Sequence, residues 1–124
     1  MTTALAPSVA TLLADSTVFR AWLQSGDINR VVGHCAQPGA CPLAAFLAAH
    51  GFRAPSVGKY DVGYFTERGK WYQELLPEWA SAFVRAIDAM FPISYYGKHA
   101  CVIAEEALSV LDAVLKDQDQ EEPG

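Results

Sequence analysis

Apolar side chains at Val9, Leu12, Leu13, Phe19, Trp22 and Leu23 recur at three and four, the spacing of a helix buried along one side. Asp15-Ser16-Thr17 breaks this run with three good N-capping residues, so the pattern also fits two short helices. Gly26 suits the position after a helix end, and Asp27 opens the next turn. Val31-Val32 is read as a brief extended segment before a loop marked by Pro38-Gly39.

Cys41-Pro42 starts the next helix. Proline is favoured at the first helical position, where its missing N–H costs nothing, which leaves Cys41 as N-cap. Leu43, Phe46 and Leu47 give the buried stripe, and Gly51 ends it. From Phe52 to Glu74 the composition turns to Val, Tyr, Phe and Trp, which suit a pleated surface. Two strands near 56–66 and 70–74, joined at Glu67-Arg68-Gly69-Lys70, form the expected hairpin. Pro77 opens the clearest helix, with Leu76, Trp79, Ala80, Phe83, Ile87 and Met90 on one side and Phe91-Pro92 as its stop. Residues 93–103 fit either a strand or the approach to a last helix covering 105–116. The expected fold is therefore α+β, with three to four helices packed on a short antiparallel hairpin or small sheet. A loose arm at 1–7 precedes a single domain over 8–116, and a disordered acidic tail at 117–124 follows.

Charge narrows the function classes. Nine basic residues stand against fourteen acidic ones, and Asp117, Asp119, Glu121 and Glu122 lie in the last eight positions. The remaining body is near neutral, which disfavours a broad grip on nucleic acid. No stretch reaches the ~18–20 apolar residues of a membrane span. Three cysteines are too few, and odd in number, for a secreted disulfide scaffold, so a reducing cytoplasm is the expected compartment. The alanine-rich composition suggests a bacterial source. No glycine-rich phosphate loop or other cofactor motif is present, and no cofactor is expected.

Two candidate sites emerge. A thiol at a helix N-terminus faces unpaired N–H groups, which favour thiolate, so Cys41 is the candidate nucleophile, with His99 or His34 as base and Cys35 as a resolving thiol. The plain alternative is a small buried cysteine that caps a helix. A structural zinc site would draw on His34, Cys35, Cys41, His99 and Cys101, although their spacing matches no common finger or ribbon. The second candidate is the hairpin surface, where Tyr60, Tyr64, Trp71, Arg68 and Lys70 form an aromatic and basic ribbon able to hold a protein partner. The plain alternative is that aromatics suit strands and lysines guard an edge. Phe19, Trp22, Trp79, Phe83 and Met90 serve either the core or a homo-oligomer face, with core packing the stronger reading. The expected function is a non-catalytic protein-interaction or accessory domain. The rivals are a cysteine-dependent enzyme or redox protein and a zinc-binding domain.

Overall fold

The computed structural model describes residues 8–34, 39–90 and 101–120. They form five helices and two small antiparallel sheets, an α+β architecture as the sequence predicts.

The interrupted first helix is two helices, α1 (Val9–Leu12) and α2 (Thr17–Gln24). Ser8 Oγ accepts from the Thr11 N–H at 3.1 Å and caps α1. Asp15, rather than Ser16, binds the start of α2, accepting from the Thr17 N–H at 2.9 Å and its hydroxyl at 2.7 Å. At the other end of α2, the Arg30 guanidinium donates to the carbonyls of Trp22 at 2.7 Å and Leu23 at 3.1 Å. That grip satisfies carbonyls the helix leaves unpaired and aims the chain into β1 (Val31–His34). Helix α3 (Pro42–Ala49) starts where the Cys-Pro pair predicts, with Cys41 as N-cap.

The expected long strand over 56–66 is two strands, β2 (Arg53–Val57) and β3 (Asp61–Phe65). They are separated by a reversal in which the Gly58 N–H donates to the Asp61 carbonyl at 2.8 Å. Lys59 and Tyr60, at its tip, carry no turn signature in sequence. β4 (Trp71–Leu75) pairs with β3 through the predicted turn, where Gly69 takes φ +79°. The sheet order is β2-β3-β4.

Helix α4 (Glu78–Met90) follows Pro77, and β5 (Cys101–Ile103) pairs with β1 in the second sheet. Helix α5 (Ala104–Gln120) runs four residues into the stretch expected to be disordered. Extending a formed helix adds one hydrogen bond per residue fixed, so its last turn needs no apolar residue. Glu106 reaches back to the Ile103 N–H at 3.1 Å, half of a capping box at the start of α5.

The core is aromatic at its centre. Phe19 is fully buried, with ring centroids 5.1 Å from Phe46 and Phe83 and 5.8 Å from Trp79. These rings, together with Leu23, Leu43, Ile87 and Leu111, hold α2, α3, α4 and α5 together. Trp79 also donates its indole N–H to the Leu13 carbonyl at 2.8 Å. Phe19, Trp79 and Phe83 therefore belong to the core, and Trp22 packs partly buried against it. The first sheet lays Val57, Val62 and Tyr64 on the same core and turns its other face outward. Among the described residues, no helix is long and apolar enough to cross a membrane.

Candidate functional site

Two places hold the candidate residues that the sequence singles out, and their surroundings differ. At the first, β1 runs hard against the start of α3. A Cβ added to Gly33 would lie 2.5 Å from Pro42 N and 2.7 Å from Cys41 C, so only glycine admits this approach. The His34 N–H donates to the Ala40 carbonyl at 2.7 Å and closes the intervening loop. His34 is half-buried and stands opposite Cys101 in the β1–β5 register.

Cys41 lies at the N-cap, as the sequence predicts, but its environment is not that of a thiolate. Its side chain is buried. Burial pushes the thiol up to about 11, and the negative charge of Asp88 on α4 adds to the rise. The N–H groups of Leu43 and Ala44 pull the other way and are outweighed. The expected lowering is thus reversed, because desolvation of an anion exceeds what a helix terminus returns. Cys41 is a free thiol, and Cys101 is exposed. Cys35 and His99 lie outside the described residues. Among the described residues no three His, Cys, Asp or Glu side chains form a group able to hold a metal.

The second place is the β2-β3-β4 sheet. Alternation sends Val62 and Tyr64 inward and Asp61, Gly63 and Phe65 outward. Tyr64, expected among the partner-binding residues, is instead only 6% exposed and belongs to the core. Its phenol donates to Glu74 Oε2, and burial together with that carboxylate raises its pKa. The sequence had offered Glu74 no role. It binds α1, accepting from the N–H groups of Val9 at 2.9 Å and Ala10 at 3.0 Å.

On the outward face, Trp71 lies across the bare backbone of Gly63, where an added Cβ would fall 2.1 Å from its indole. Phe65 meets Trp71 edge-on with centroids 4.9 Å apart. Phe65 is 40%, Trp71 46% and Leu75 77% exposed. Arg68 and Lys70 are exposed at the turn beside them. Tyr60, 62% exposed at the far end, has the Arg85 guanidinium 5.5 Å from its ring centroid.

Trp71, Arg68 and Lys70 are therefore brought to one end of the sheet, while Tyr60 stands apart from them and Tyr64 faces inward. Phe65, against Trp71, and Leu75, on the same face at the other end of β4, are exposed there and are not among the partner-binding residues the sequence predicts. Leu75 shares the parity of Trp71, a signal masked by its neighbour Leu76, which is buried. Compared with protein families, curated proteins and solved structures, the chain matches none.

Proposed function

We propose that this protein is a small, non-catalytic interaction domain of the bacterial cytoplasm, and that its docking surface is the outward face of the β2-β3-β4 sheet. The observation that carries this reading is the exposed aromatic pair Phe65 and Trp71, with Leu75 exposed on the same face at the other end of β4. Single exposed apolar residues need no explanation, but an exposed aromatic pair edged by Arg68 and Lys70, with a further exposed leucine on the same strand face, has the composition of a binding centre with a polar rim. The Cys41-centred reading has less support, because a buried thiol held protonated is a poor nucleophile.

A photoreactive phenylalanine analogue in place of Trp71 tests the surface. Irradiation in a lysate of the source cells should give a discrete adduct, and the same analogue at Ser109, exposed on α5, should give none. Adding Phe65→Ser and Leu75→Ser to the labelled chain should abolish the adduct. Equal adducts at both positions, or none at position 71, overturn the reading.

A further inference from the structure

The two edges of the β2-β3-β4 sheet are unlike. β2 is blunted: it carries Pro55, a positive φ of 47° at Ala54, and a shift of register between Arg53 and Ser56. These are the devices that stop a strand from pairing again. β4 has none of them. Its five residues pair with β3 in unbroken register, and no proline or lysine interrupts Trp71–Leu75. Its one charged side chain, Glu74, is held by α1 and Tyr64.

Among the described residues no strand pairs with the outer side of β4, and the direction of its outward backbone groups follows from bonds at the two ends of the ladder. Thr66 N donates to Lys70 O at 2.8 Å, and Leu76 N donates to Tyr60 O at 2.9 Å. Hydrogen-bonded and non-bonded pairs alternate in an antiparallel ladder. Val62·Glu74 and Tyr64·Tyr72 therefore exchange bonds within the sheet. Trp71, Gln73 and Leu75 direct their N–H and C=O away from β3, along the outer edge of the described sheet.

That edge is complementary to itself. Antiparallel pairing of two β4 strands about Gln73 sets Gln73 opposite Gln73 and Trp71 opposite Leu75. In that register every outward N–H and C=O finds a partner, and a shift of two residues strands some of them. Side chains agree with the register. Trp71 and Leu75 of the two copies meet on the outward face and join the two apolar clusters into one. Tyr72, 52% exposed, stands opposite Glu74, a phenol against a carboxylate.

We infer that β4 is a self-association edge, and that the partner of the sheet is a second copy of this chain joined through Trp71–Leu75. This rests on the reading of the sheet as the docking surface and names its occupant. The contact is isologous and closes as a two-fold dimer with a six-stranded sheet.

Sedimentation of the full chain from about 1 µM to about 1 mM, a range that spans weak to moderate association, should show a monomer passing into a dimer. Gln73→Pro removes one outward N–H and suits an edge strand, so it should keep the wild-type circular dichroism and remain monomeric. Leu75→Lys alters a side chain exposed in the monomer and should weaken the dimer by about tenfold or more. A wild-type chain that is monomeric throughout overturns the inference. So does a dimer that Leu75→Lys leaves unchanged, even if Gln73→Pro fails to fold. A monomeric chain that still gives a position-71 adduct with a different protein overturns self-pairing alone, whereas loss of both overturns the docking surface as well.

Discussion

The hydroxyl of Tyr64 lies 2.5 Å from Glu74 Oε2, and the same carboxylate accepts the first two N–H groups of α1. One side chain on an edge strand thus ties together the sheet, a core tyrosine and the start of α1. Charge-assisted bonds of this kind are stronger than neutral ones, and removing their acceptor leaves three donors to be satisfied elsewhere. Glu74→Ala should destabilise the fold by about 1–3 kcal/mol, and Tyr64→Phe by less. A double-mutant cycle in urea should show coupling between the two positions, and additive losses would mean that the contact contributes little.

Alkali should loosen the protein. The folded state holds the Cys41 thiol near 11 against a reference of 9.0, and it holds the Tyr64 phenol above its reference of 10.0. In each case the unfolded chain releases its proton first, so it binds fewer protons and stability falls as pH rises. The Cys41 contribution is intact below pH 9 and lost between 9 and about 11, with a slope of about 1.4 kcal/mol per pH unit. Stability measured in urea across this range should fall less steeply in Cys41→Ala. An unchanged slope would contradict the assignment.

Thiol reactivity separates the cysteines. Cys101 is exposed and should alkylate rapidly at neutral pH, whereas Cys41 should resist until denaturant is added. Peptide mapping after timed iodoacetamide labelling reads each position separately. Fast labelling of Cys41 in the native protein would restore it as a candidate nucleophile.

The two tight glycines should tolerate a methyl group unequally. At Gly33 the obstruction is the backbone of Ala40, Cys41 and Pro42, and at Gly63 it is the half-exposed indole of Trp71. A side chain can swing into solvent, but a helix start cannot. Gly33→Ala should cost about 1–3 kcal/mol, as overpacking does, and Gly63→Ala distinctly less. The second variant should also shift tryptophan emission as Trp71 leaves its place. Equal losses from thermal melts would contradict this.

The helices were readable because their signals are local: Pro42 at a first turn, capping residues at 15–17, and a three-and-four stripe over 76–90. What failed depended on the chain's return to itself. The reversal at 58–61 is made by a backbone bond between Gly58 and Asp61, with no proline or asparagine to announce it. Tyr64 faces inward, against the expectation from sequence, because phase in a strand depends on where the strand begins, and that reversal sets the beginning. Cys41 sits where its sequence neighbours predict, yet the sign of its shift comes from burial and from Asp88, 47 positions along the chain. The apolar cluster was half legible, since Trp71 stood out while Leu75 merged with the approach to α4.

Residue-resolved amide exchange on dilute and concentrated samples reads the β4 edge most directly. The amides of Tyr72 and Glu74 bond to β3 and should be protected at every concentration. Those of Trp71, Gln73 and Leu75 point away from it, so they should exchange rapidly in dilute solution and become protected as the sample is concentrated. Rapid exchange of these three amides at all concentrations would contradict pairing through β4.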